Sequence, residues 1–283
     1  MRILVTGATG FVGNYVVNRL IELDHEIIAT GTNIEKAKKC SWFDSVKFIA
    51  SKYSDDSIDF YSIFEEPDIL IHLAWEGLPN YMNPFHVDRN LPENCHFLKN
   101  FLEGGVKKMV VTGTCYEYGM QCGCLKESLP AFPVTQYALA KDALRKYLEL
   151  LVPEYDLSFN WVRLFFMYGP GQNEKSLIPQ LQKAIISGDK VFNMSGGEQL
   201  RDYLHIKEVA DNICRISLQN EIDGIVNCCS GKPISIRSLV ERFVGEMNSD
   251  IKLNMGYYPY PDYEPMAFWG DSSLLRKILV GFD

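Results

Sequence analysis

Residues 3–13 read ILVTGATGFVG. An apolar run ends at Thr6, glycines follow at 7, 10 and 13, and GFVGNYVVNRLIELD (10–24) sets Val12, Val16 and Leu20 on one face of a helix. Strand, glycine turn and helix in that order form an anion site. Backbone without Cβ lets a phosphate approach, and the first helical turn offers free N–H groups at the positive end of its dipole. Gly7, Thr9, Gly10, Phe11, Val12 and Gly13 are therefore candidate contacts for the pyrophosphate of a dinucleotide.

Outward from this stretch the chain alternates short β-rich runs with amphipathic segments. RILVTG (2–7), HEIIAT (25–30), VKFIA (46–50), DILIHLAW (68–75), KKMVVTGT (107–114) and LSFNWVRLFF (157–166) read as strands. Helices at about 91–103 and 137–152 fill the gaps. Near-continuous apolar runs suit a parallel sheet covered on both faces, so the predicted fold class is α/β, a Rossmann-type doubly wound sheet. After Tyr168-Gly169-Pro170 the elements shorten and Gly, Pro and aromatics multiply, as in GYYPYPDYEPMAFWG (256–270). The expected division is a dinucleotide-binding domain, 1–168 with about 200–225, and a smaller discontinuous lobe, 169–199 with 226–283. DSSLLRKILVGFD closes the sequence as one amphipathic helix.

Bulk properties narrow the function. The chain has 283 residues, 47% hydrophobic and 23% charged, with a net charge of -8. That composition gives ample core, and the acidic balance argues against a nucleic-acid or anionic-membrane partner. No run approaches the roughly 18 apolar residues of a membrane span, and no leader is evident, so a soluble cytoplasmic protein is expected. Eight cysteines lie at 40, 95, 115, 122, 124, 214, 228 and 229 without a CxxC pair. No metal site is expected, and Cys122-Gly-Cys124 is the only cluster.

The second strand of a dinucleotide fold usually ends in an acid that binds the adenosine ribose. Gly31 stands there, followed by Thr32, Asn33 and Lys36. Without the carboxylate a 2′-phosphate is not repelled, and Lys36 could pair with it. The expected cofactor is NADP, with NAD as the alternative.

PVTQYALAKDALRKYLELL places Tyr137 and Lys141 four residues apart, on one helical face. A phenol is a poor acid–base group at neutral pH unless a neighbouring ammonium favours its phenolate. The same ammonium can hold a cofactor ribose. The pair opens the helix after the fifth strand, at the carboxyl edge of the sheet, where such sites lie.

The Gly-x-x-Gly-x-x-Gly spacing, Tyr137-x-x-x-Lys141, VRLFFMYGPGQN and GGEQLRDYLHIKEVADNI together resemble the extended short-chain dehydrogenases, in their NAD-dependent epimerase/dehydratase branch. The resemblance implies that the partner hydroxyl lies four residues before a Tyr-Gly pair. In VTGTCYEYG (111–119) that is Thr114, which leaves Thr112 as a strand residue. It also implies cofactor contacts at Leu73 and Ala74, the family's Asn at Asn90, and a diphosphate ligand at Arg201. Sugar-nucleotide 4,6-dehydratases carry an Asp-Glu pair after the catalytic Thr. Here Cys115 and Tyr116 stand instead, so dehydration is disfavoured. By strand alternation Glu117 should face away from Tyr116, and Tyr116 should face the substrate.

Other departures point the same way. Phe166 replaces the usual Asn of the sixth-strand motif, the third-strand acid gives way to the ASKY run, and a second phosphate-binding arginine is not evident beside YPYPDYEP. Trp75, Glu76 and Tyr81 of LAWEGLPNY are expected on the substrate side. These features resemble 4-ketoreductases of nucleotide-linked 6-deoxysugars. The expected activity is NAD(P)H-dependent reduction of a nucleotide-linked 4-keto-6-deoxysugar; the alternatives are an NAD-dependent epimerase and, further off, a cofactor-sensing module without catalysis. The expected partners are a nucleotide sugar and a second copy of the chain.

Overall fold

A computed structural model describes residues 1–55 and 57–282. The first half contains β1 (Arg2–Thr6), α1 (Phe11–Glu22), β2 (Glu26–Gly31), α2 (Ile34–Ala37), β3 (Lys47–Ala50), α3 (Phe60–Ile63) and β4 (Ile69–His72). It continues through α4 (Leu91–Gly104), β5 (Lys108–Thr114), β6 (Gly123–Leu125), α5 (Gln136–Leu151) and β7 (Ser158–Leu164). Shorter pieces follow: β8 (Phe166–Tyr168), α6 (Leu177–Ile186), β9 (Val191–Asn193), β10 (Leu200–His205), α7 (Ile206–Leu218) and β11 (Gly224–Cys228). The last are β12 (Pro233–Ser235), α8 (Ile236–Glu246), β13 (Lys252–Asn254), β14 (Phe268–Gly270) and α9 (Ser273–Val280).

Seven strands form one sheet in the order β3-β2-β1-β4-β5-β7-β11, every pair parallel. This is the doubly wound architecture that the sequence predicts. Period-2 alternation explains why these runs are apolar throughout. Ile3 and Val5 join a core under α1 and α7, with Val16, Leu20 and Ile213. Leu4, between them, joins the opposite core with Phe97, Phe101, Leu144, Leu148 and Trp161 from α4, α5 and β7. The direction of winding reverses between β1 and β4, which opens a crevice beyond their carboxyl ends.

Two strands end sooner than the sequence suggests. β4 stops at His72 because the next two N–H groups, of Leu73 and Ala74, donate to Thr6 Oγ1 at 3.1 and 3.2 Å instead of to a neighbouring strand. The run 157–166 breaks after Leu164. Phe165 is buried with Tyr118, Leu125 and Phe268, and β8 leaves the large sheet to pair with β10, Phe166 opposite Tyr203. β10 also pairs antiparallel with β12, forming a small sheet over the crevice. β11, the edge strand of the large sheet, runs to Cys228, past the division expected near 225, and α9 packs on it and on α7.

Candidate active site and cofactor cleft

Each glycine of the first turn answers a local demand. Gly7 has φ +64°, and a Cβ there would lie 2.9 Å from the Ala74 nitrogen. A Cβ on Gly13 would lie 2.2 Å from the Gly7 carbonyl oxygen, so the helix can pack onto its own strand only without one. Gly10 is the N-cap of α1; no side chain caps that end, and its first turn carries no acid. The residues present fit a dinucleotide phosphate: bare backbone, free N–H groups and a favourable dipole.

Beneath this cradle lies a buried polar relay. Thr6 Oγ1 is 3.0 Å from His72 Nδ1, and His72 Nε2 is 2.6 Å from Asn94 Oδ1. The Asn94 amide nitrogen donates to the Asn90 carbonyl, so its oxygen faces the histidine. His72 is therefore neutral with the proton on Nε2. Burial pulls its pKa down to about 3, with the Lys141 charge acting in the same direction.

A cavity of about 370 Å³ flanks the cradle and is lined by Gly31, Thr32, Lys36, Lys52, Ser54 and Ala74, among others. Lys52 and Ser54 went unassigned in the sequence; the only signal was the loss of an acid from the ASKY run. A Cβ at Gly31 would come 3.1 Å from Thr9 Oγ1. Asn33 does not join the lining, since its side-chain oxygen caps α2 through the Lys36 N–H at 3.0 Å. Glu76 lines this smaller cavity, where it meets Arg89, and not the larger one. Asn90 lines it too, and its amide nitrogen donates to the Glu76 carbonyl.

The larger cavity, about 560 Å³, brings Thr114, Tyr137 and Lys141 together with Phe11, Val12, Leu73 and Trp75. Thr135 caps α5 by accepting from Ala138 N–H at 3.1 Å, which starts the helix so that Tyr137 and Lys141 face β5. Lys141 is 1% exposed. Its ammonium donates to the Thr112 carbonyl at 2.8 Å and sits 4.0 Å from the centroid of the Trp75 ring. Burial lowers the lysine to about 7, against the upward pull of Glu117. Tyr137 is held from the other end by its N–H, which donates to the Tyr81 carbonyl at 2.9 Å. Burial pushes its phenol up, Tyr81 and Glu117 add to that, and a Thr114 side-chain hydrogen bond acts the other way.

The opposite wall is aromatic. Tyr81, Tyr116, Phe166 and Tyr203 line it, with the polar Gln172, Asn173 and Ser176 at the approach to α6. No local pattern marked those three polar residues. Residues 115–118 form a single 3-10 turn, not the strand continuation that alternation assumed. The turn still separates the two side chains. Tyr116 reaches the cavity, whereas Glu117 is buried beneath, holding Thr114 N–H at 2.8 Å.

Arg201 is placed behind this wall and is not among the residues that line the cavity. It is 2% exposed and donates to Glu264 Oε2 at 2.8 Å, with the Tyr116 hydroxyl donating to the other oxygen at 2.7 Å. Its guanidinium also lies 4.6 Å from the Phe268 ring. Glu264, from YPYPDYEP, thus neutralises the arginine, a partnership no spacing in the sequence announced.

Among the described residues no helix is long and apolar enough to cross a membrane, and no cluster of three or more His, Cys, Asp or Glu is placed to hold a metal.

The sequence is similar to the dTDP-6-deoxy-L-talose 4-dehydrogenase (NAD(+)) of Aggregatibacter actinomycetemcomitans, 31% identical over 95% of this chain and 99% of that protein. It is also similar to the GDP-6-deoxy-D-talose 4-dehydrogenase of the same organism, 26% identical over 99% and 91% of the two chains. The fold matches the crystal structure of a UDP-glucose 4-epimerase from Thermotoga maritima with a TM-score of 0.86, at 22% identity and over 98% and 92% of the chains. Residues 3–229 match the NAD dependent epimerase/dehydratase family. With the glycine cradle, the Thr114, Tyr137 and Lys141 set and the doubly wound sheet already in place, this match over most of the sequence identifies the chain as a member of the NAD-dependent epimerase/dehydratase family.

Proposed function

We propose that the protein is a nucleotide-sugar oxidoreductase that reduces the 4-keto group of a nucleotide-linked 4-keto-6-deoxysugar. The observation that carries this reading is the convergence of Thr114, Tyr137 and Lys141 on one cavity wall beside the glycine cradle, without a carboxylate pair at positions 115 and 116. Bound nicotinamide would supply hydride to the carbonyl carbon. Thr114 donates a hydrogen bond to the oxygen as negative charge develops, and Tyr137 passes it a proton. Lys141 favours the phenolate and binds the cofactor ribose. Two relatives named as 4-dehydrogenases of nucleotide-linked 6-deoxytaloses support the reading, because oxidation at C4 is this reduction run backwards.

The cofactor is proposed to be NADP. Gly31 presents no carboxylate to a 2′-phosphate, and Lys36 and Lys52 line the same cavity. The nucleotide sugar is proposed to lie under the smaller lobe (169–199 and 226–283), against Trp75, Tyr116 and Phe166, with Arg201 serving its diphosphate. The active unit is proposed to be a homodimer, which light scattering measures directly.

The test mixes the protein with NADPH or NADH and a panel of nucleotide 4-keto-6-deoxysugars and follows nicotinamide absorbance. Stoichiometric loss of reduced nicotinamide supports the reductase. Isomer formation from a nucleotide hexose without net loss replaces it with the epimerase. A lower KM for NADH than for NADPH overturns the cofactor assignment.

A further inference from the structure

Glu117 holds a carboxylate where no water reaches, being 0% exposed. Oε1 accepts from Thr114 N–H at 2.8 Å, the Trp161 indole N–H spans both oxygens at 3.0 and 3.1 Å, and Arg163 Nε donates to Oε2 at 2.8 Å. Arg145 stands 3.9 Å from Oε2. Apolar residues of similar volume usually stabilise a core as well as such a buried ion pair. Stability alone therefore gives little reason for these charges.

Position gives a better one. Lys141 grips the Thr112 carbonyl from one side of β5, and Glu117 grips the Thr114 N–H at the strand's end. The residue between them has to be glycine, since a Cβ on Gly113 would lie 2.3 Å from Glu117 Oε1 and 2.1 Å from Trp161 Nε1. The clamp leaves the Thr114 hydroxyl with the cavity and fixes its backbone.

We propose that Glu117 is a positioning residue of the reaction, anchoring the backbone of Thr114 and supplying the negative charge that faces Lys141 from beneath the site. This rests on the reading that Thr114, Tyr137 and Lys141 perform the chemistry. The other titratable groups around the lysine are Tyr137 on its own helix and two buried histidines, His72 at the end of β4 and His86 in the turn before α4. Neither histidine offers a negative charge. The neighbouring Asp142 is taken up by Arg145 and Lys146.

Glu117→Gln alone would strand the Arg163 charge, so the test uses paired variants. E117Q/R163M keeps an acceptor for Thr114 N–H and removes both charges; E117L/R163M removes the acceptor as well. Thermal melts establish that both fold, and steady-state rates are measured from pH 5.5 to 9. E117L/R163M should lose roughly 10–100-fold in kcat at every pH with the substrate KM little changed, the size expected when a reacting group is misplaced by about an ångström. E117Q/R163M should recover most of that loss at low pH, while its alkaline limb moves down by about one pH unit because the lysine loses its counter-charge. A purely structural role would not move that limb. Wild-type kcat and pH profile in both variants, with Thr114→Val and Tyr137→Phe inactive, would overturn the inference alone. Near-normal turnover in Thr114→Val and Tyr137→Phe would overturn the reading of the site and this inference with it.

Discussion

The Lys141 ammonium lies 4.0 Å from the centroid of the Trp75 ring, inside the wall that also carries Tyr137. An aromatic face attracts a cation yet offers it less than water does. That environment accounts for a lysine lowered by burial to about 7. The ammonium is the form that assists the phenol, so kcat/KM should fall as pH rises through about 7. Lys141→Ala should weaken cofactor binding and lower turnover together, and should abolish that limb. A pH–rate profile with a fluorescence titration of reduced nicotinamide checks both. Unchanged affinity and rate would mean that the lysine serves neither ribose nor phenol.

Tyr137→Phe keeps the ring and removes the proton, so reduction should fall by roughly 10²–10⁴-fold, the range of general acid catalysis. Thr114→Val keeps the shape and removes the hydrogen bond to the developing alkoxide, and should lower kcat strongly as well. Cofactor affinity should survive both changes. Single-turnover rates beside cofactor titration separate chemistry from binding.

His72 gives stability a pH dependence whose sign is fixed. The unfolded histidine takes up a proton near 6.5, whereas the folded one resists until about 3. Stability is therefore full above about 6.5 and falls as pH drops through that window, by up to about 1.4 kcal/mol per pH unit. His86, also lowered by burial, adds in the same direction. Urea unfolding between pH 5 and 6.5 should show a shallower slope in His72→Gln than in the wild type. Equal slopes would contradict the buried neutral imidazole.

Arg201→Ala should do two things at once. It leaves Glu264 and the Tyr116 hydroxyl without their cation, and should destabilise the fold by about 3 kcal/mol. It should also raise the KM for the nucleotide sugar while sparing cofactor affinity. R201M/E264Q should regain the stability but not the KM. Recovery of both would reduce Arg201 to a structural strut.

Gly113→Ala drives a methyl group into Trp161 and Glu117. Overpacking of this kind typically costs about 1–3 kcal/mol. Because the displaced segment carries Thr114, kcat should fall further than the substrate KM changes. A stable, fully active variant would show that the clamp around β5 is loose.

The local signals in the sequence are short-ranged, and they carried what is local. Gly7, Gly10 and Gly13 marked the cradle because a turn between strand and helix demands them. The four-residue spacing of Tyr137 and Lys141 put both on one face of α5, and alternation in ILVT set β1 between two cores. What the tertiary structure decided is which distant groups meet. β5 neighbours β7, so Trp161 and Arg163 arrive at Glu117 from more than forty residues away. The lobe folds back so that Glu264 meets Arg201 across 63 positions. β7 ends at Leu164 because Phe165 finds a buried place beside Tyr118. A buried charge takes its partner from the element packed against it, and no periodicity along the chain encodes that neighbour.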